Sequence, residues 1–171
     1  MPFTPVHMGP GMLVKSVLQD RFSLMMFGWS QIAIDVQPMY VMLRGEGHLH
    51  GFTHSYLGAL LVAMISALTG KHLAAFGLKL FDMADDLPIS WGVAILSALV
   101  VTLSHVFIDS IMHADLQPYA PYSLANPMLQ YISVANLHMW CFGAGVIGFF
   151  VYPLMEGRRP RPNNSPRERR P

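Results

Sequence analysis

Charge is scarce in this sequence. Only 12 % of its 171 residues are Asp, Glu, Lys or Arg, where a soluble domain carries about 25 %. Cysteine is nearly absent too. Cys141 stands alone, which excludes an intrachain disulfide and a thiolate zinc site, and its apolar surroundings mark it as a small core residue. There is no internal repeat, no heptad register and no phosphate-binding glycine loop, and no nucleic-acid partner is expected. The start, MPFTPVHMGPGMLVK, lacks the basic region, apolar core and small-residue cleavage site of a secretory signal, so no cleaved signal peptide is expected.

What the chain has is apolar length. Hydrophobic residues make up 53 % and mean hydropathy is positive, which places it in the membrane class. Three runs suit membrane helices: residues 55–70, 91–112 and 137–155. The second has about 22 residues, or ~33 Å at ~1.5 Å per residue, close to the ~30 Å apolar core of a bilayer. A fourth run, 22–40, is interrupted by Gln31, Asp35 and Gln37 and reads as a helix shielded by neighbours and ended by Pro38. Residues 9–18 predict a short helix with Pro10 in its first turn, stopped at Gln19, Asp20 and Arg21.

Between the runs, 71–88 reads as a polar connection with an interfacial helix over 73–81 and an acidic turn at Asp82, Asp85 and Asp86. Residues 114–136 carry Pro118, Pro121 and Pro127 among Tyr119, Tyr122 and Tyr131 and predict turns at the membrane face. The expected fold is an all-α, multi-pass membrane helical bundle of about four long helices plus short interfacial or re-entrant helices. Residues 1–155 form one membrane-embedded metal-binding domain. Residues 156–171 form a disordered basic tail, because six of the eleven Lys and Arg fall there without apolar residues to pack. By the positive-inside rule the tail, Lys15, Arg21, Lys71 and Lys79 lie on the cytoplasmic side of a bacterial-type plasma membrane. Only Arg44 then lies outside.

On that reading the chemistry-bearing side chains gather at the non-cytoplasmic face. LSHVFIDSIMHAD, residues 103–115, sets His105, Asp109 and His113 four residues apart, which stacks them on one helical face within reach of one ion. GEGHLHGFTHSYLGA contributes His48, His50 and His54 just ahead of a helix that Thr53 or Ser55 caps. Asp35 lies near the outer end of its run. A nitrogen and oxygen ligand set without thiolates suits zinc, with manganese or iron as other divalent choices.

MPFTPVHMGPG, IDVQP, HGFTHSYLGA and SHVFIDSIMHAD, in this order, resemble the YdjM-like family of membrane-bound metal-dependent hydrolases. The family is more distantly similar to zinc-dependent phospholipases C. The resemblance implies that Asp35, His54, His105 and Asp109 hold one ion and that His7 joins Asp109 at a second. It further implies a third position using His113 and His138, but the residue four after His138 is Phe142 where relatives have Glu. Gly51 stands where the family commonly has an Arg, so the chain lacks that group or uses Arg44 instead.

The function implied is metal-assisted hydrolysis of a phosphoester or lipid-linked substrate, with His50 or His113 moving the proton and Asp115 or Glu46 orienting the histidines. Membrane lipids are the expected partners. The alternative is a non-catalytic membrane protein with a structural His and Asp metal site or a polar helix-packing cluster. A metal transporter ranks last, since the ligands concentrate at one end of the spans.

Overall fold

The computed structural model describes residues 7–82 and 87–156; Asp85, Asp86, the first six residues and the tail from residue 157 lie outside them. Five α-helices make the fold: α1 (Met8–Leu18), α2 (Leu24–Arg44), α3 (Tyr56–Leu80), α4 (Trp91–Met112) and α5 (Val134–Glu156), with 3-10 turns at Gln19–Arg21 and Phe52–His54. No strand occurs among the described residues. By length and composition α3, α4 and α5 can each cross a membrane. The expected fourth long helix, α2, has 21 residues but is not among them, because its polar residues interrupt the apolar run.

Local chemistry sets the helix starts. Ser23, Ser55 and Ser90 are the N-caps of α2, α3 and α4, and each accepts a bond from the backbone N–H three residues on, at 3.3, 3.0 and 3.2 Å. Two expected boundaries move. Pro38 does not end α2, which continues to Arg44 and stops at Gly45 with φ 72°. Proline removes one helical hydrogen bond, and here the buried Ile34 and Pro38 hold the helix through that gap. The helix expected over 73–81 is no separate interfacial element but the end of α3. Gly70 lies against Trp29 and Met26 of α2 and Gly77 against Met25, so packing carries the helix past the polar Lys71 and His72.

α2, α3 and α4 pack on one another through Ile34, Ala59, Val62 and Val106, next in sequence to Asp35 and His105. α1 lies along α5 at backbone contact. A Cβ on Gly9 would fall 2.0 Å from the Cys141 carbonyl oxygen, and one on Gly148 2.5 Å from the Leu13 nitrogen. Only glycine permits that approach, and it fixes the start of α1, and with it His7, beside α4.

Candidate metal centre

Four elements bring acids and histidines to one level. Asp35 projects from α2, His54 from the 3-10 turn ahead of α3, His105 and Asp109 from α4, and His7 from the N-cap of α1. All five are at most 7 % exposed. His105 Nε2 stands 3.4 Å from Asp35 Oδ1 and 3.1 Å from Asp109 Oδ2; His54 Nε2 stands 3.5 and 3.6 Å from the same two oxygens. His7 Nε2 lies 3.6 Å from the other oxygen of Asp109.

Hydrogen bonds decide which nitrogens face inward. His105 Nδ1 donates to Gln31 Oε1 at 2.5 Å, because an amide oxygen can only accept. Thr53 Oγ1 spends its single proton on Gln37 Oε1 at 2.8 Å, so at 3.1 Å it accepts from His54 Nδ1. Both imidazoles thus hold Nδ1 toward α2 or Thr53 and turn Nε2 toward the carboxylates. Gln31 and Gln37 are the residues that sequence reasoning left as mere interruptions of an apolar run. The signal was available for Gln31, which lies four residues before Asp35, the same spacing as His105 and Asp109.

These residues fit a divalent ion. His54 Nε2, His105 Nε2, Asp109 Oδ1 and both nitrogens of His7 are buried without a hydrogen-bond partner among the described residues, a costly state for polar atoms in a helix bundle. Ligands ~2.1 Å from a tetrahedral zinc stand ~3.4 Å apart, and the four nitrogen–oxygen separations above, 3.1 to 3.6 Å, bracket that value. His7, His105 and Asp109 form one trio able to hold an ion, and Asp35, His54 and His105 another. Burial pushes the His7 imidazole down to about 4 and lowers His54 as well, so both are neutral, as ligands must be.

A third trio, His50, Asp109 and His113, is less buried at His113. The His50 and His113 rings stack at 4.1 Å, and His50 Nδ1 donates to Asp115 at 2.9 Å. Burial, then the neighbouring His50, lowers His113. Asp115 is pushed up by burial but drawn lower on balance by its bond from His50. Asp115 therefore orients a histidine, whereas Glu46 is exposed and bonds none. His138, half-buried on α5, joins no trio. It is His50, not His138, that is brought beside His113. His48 is exposed in the loop, and His72 packs edge-on to Trp91 at 6.4 Å. A Cβ on Gly51 would fall 1.8 Å from Gln37 Nε2, so the space an arginine would occupy belongs to the glutamine that holds Thr53. Arg44 bonds the Tyr40 hydroxyl at 3.2 Å, exposed.

A family model described as YdjM inner membrane protein matches residues 13–161, a span that includes every residue named above as a possible ligand except His7. No curated protein and no solved structure matches the chain.

Proposed function

We propose that the chain, which belongs to the YdjM inner membrane protein family, is a membrane-bound metal-dependent hydrolase of a phosphoester or lipid-linked substrate. The observation that supports this most directly is the facing of two partnerless Nε2 atoms onto Asp35 and Asp109 at ion-ligand spacing. Asp35, His54, His105 and Asp109 would hold one ion, and His7 would join the other oxygen of Asp109 at a second. The nitrogen and oxygen donor set favours zinc, with manganese or iron able to take its place. A bound divalent ion supplies Lewis acidity toward a phosphoryl oxygen and acidifies a water.

The protein's own groups do the rest. Asp115 fixes the His50 tautomer so that Nε2 is left as proton acceptor, and the stacked His113, half exposed, links it toward solvent; these two histidines move the proton. The likeness to zinc-dependent phospholipases C supports a phosphodiester as first candidate substrate. Arg and Lys placement supports a cytoplasmic tail and a metal centre toward the non-cytoplasmic face, where an amphiphile's headgroup is accessible.

The test is metal content by mass spectrometry on detergent-purified wild type, His105→Ala and Asp109→Ala, followed by phosphodiester and phosphomonoester hydrolysis by the loaded protein. Near-stoichiometric metal, lost in both variants, with turnover that follows the metal, is the expected result. Metal that binds without turnover would replace this reading by a structural site, and folded wild type that cannot be loaded would leave a polar packing cluster.

A further inference from the structure

One cavity lies away from the histidines. It encloses about 590 Å³ between the end of α1, the starts of α2 and α4 and the end of α3, within the ~300–1,000 Å³ range of small-molecule sites. Its walls are mainly apolar, Phe22, Met25, Leu78 and Val93 among them, with Lys15 and Tyr152 to one side. Lys15 is eight residues from His7 on the same helix, ~12 Å at ~1.5 Å per residue, and Ser90 is fifteen residues from His105, ~22 Å. The polar end of the cavity at Lys15 is thus distinct from the candidate metal centre.

Lys15 is the unusual wall residue. It is 8 % exposed, and its ammonium donates to the Gln19 and Phe22 carbonyls at 3.2 and 3.0 Å. Those two bonds leave one of its three N–H donors, with the Tyr152 ring 5.9 Å away. Carbonyls solvate a cation without neutralising it. No carboxylate of the described residues is within ion-pair distance of Lys15; Asp20, which also lines the cavity, is exposed. A buried charge in an apolar bundle is strongly disfavoured without a counter-charge.

Two helix starts add positive potential to the cavity, with the exposed Asp20 carboxylate at its edge. Ser23 and Ser90, the N-caps of α2 and α4, both line it, so two long helices turn their positive ends inward. Lys71, over the Trp91 ring at 4.0 Å, adds a cation next to Ser90.

We propose that this cavity binds an anionic phospholipid, with its phosphate on Lys15 and part of an acyl chain along Phe22, Leu78 and Val93. Among the described residues Lys15 has no ion-pair partner, and the lipid phosphate would supply one. It fills apolar volume that water would occupy poorly. The proposal is independent of hydrolysis at the histidines.

The experiment is native mass spectrometry of the detergent-purified full chain, reloaded from mixed micelles with phosphatidylglycerol or phosphatidylcholine. Wild type is expected to retain one phosphatidylglycerol and to prefer it over phosphatidylcholine, whose choline cation offsets the charge of its phosphate, by about tenfold, the scale of one unit of charge near a partly buried cation. Lys15→Gln loses that preference. Val93→Trp, which fills the cavity and keeps Lys15, loses retention of either lipid and decides the matter should Lys15→Gln fail to fold. Both variants keep the metal content of wild type. Equal retention of the two lipids by wild type, or unchanged retention in Val93→Trp, overturns the proposal. So does loss of phosphatidylglycerol retention when inorganic phosphate is added at equal concentration, which would make this a free-phosphate site.

Discussion

Gln31 accepts the Nδ1 proton of His105 at 2.5 Å, and this contact between α2 and α4 fixes which imidazole nitrogen meets Asp35 and Asp109. The same logic reaches His54 through two partners, Gln37 and Thr53. Each histidine is therefore oriented by a glutamine on the helix that also supplies Asp35.

Replacing Gln31 with leucine keeps the volume and removes the acceptor. The ring of His105 can then turn, and its Nδ1 proton loses its partner. Metal affinity is expected to fall ~10–100-fold, the usual effect of losing a group that orients a ligand, with helix content unchanged. Competition against a chromophoric chelator measures it. Affinity equal to wild type would mean that the Nε2 orientation does not depend on Gln31.

His7 and His54 give the metal-free protein a pH dependence whose sign is fixed. Burial lowers both imidazoles, His7 to about 4, while in the unfolded chain they return to ~6.5. Between those values the unfolded state binds protons that the folded state refuses, so stability falls as pH drops below ~6.5 and the loss is complete near the folded value. His7 alone contributes ~2 kcal/mol of that loss by about pH 5. Thermal melts of chelator-treated protein near pH 7 and pH 5 should show the drop, and His7→Leu should reduce it. Identical pH dependence in wild type and His7→Leu would remove His7 as its source.

Much of this arrangement was legible before the structure. Spacing of four residues put His105 over Asp109, and composition marked the apolar runs that became α3, α4 and α5. Three features were not legible. Pro38 looked like a helix end because proline's local cost is visible in a sequence, whereas the burial of Ile34 and Pro38 that outweighs it is not. Lys71 and His72 looked like a loop because polarity was read without the packing of Gly70 and Gly77 on α2. The family resemblance offered His138 as the partner of His113 at a third ion, but His50 is brought there by the loop before α3, and long loops leave no periodicity to read.

Gly148 tests how α1 is held. A Cβ there would meet the Leu13 nitrogen at 2.5 Å and the Met12 carbonyl carbon at 2.6 Å, backbone atoms that cannot rotate away. Gly148→Ala is expected to destabilise by ~1–3 kcal/mol, as overpacking does, and to weaken whatever metal binding uses His7, since α1 must shift. Gly143→Ala, with nothing within 4 Å of its Cβ, is the matched control and should melt near wild type. Comparable melting of the two variants would show that α1 and α5 can separate at little cost.

The placement of Lys and Arg predicts the side on which the histidines open. Six of the eleven Lys and Arg lie in the last fourteen residues, and Lys15 and Lys71 stand toward the end of the bundle away from the histidines, next to the start of α4. Tyr122, 89 % exposed, belongs to the turns that follow His113 and Asp115. With the tail cytoplasmic, a fluorescent protein fused after residue 171 should fluoresce. Tyr122→Cys should react with a membrane-impermeant maleimide in spheroplasts; the one native thiol, Cys141, is buried and gives little background. Labelling of Tyr122→Cys only after lysis would invert the chain, open the His50 and His113 mouth to the cytoplasm and require a substrate from that side.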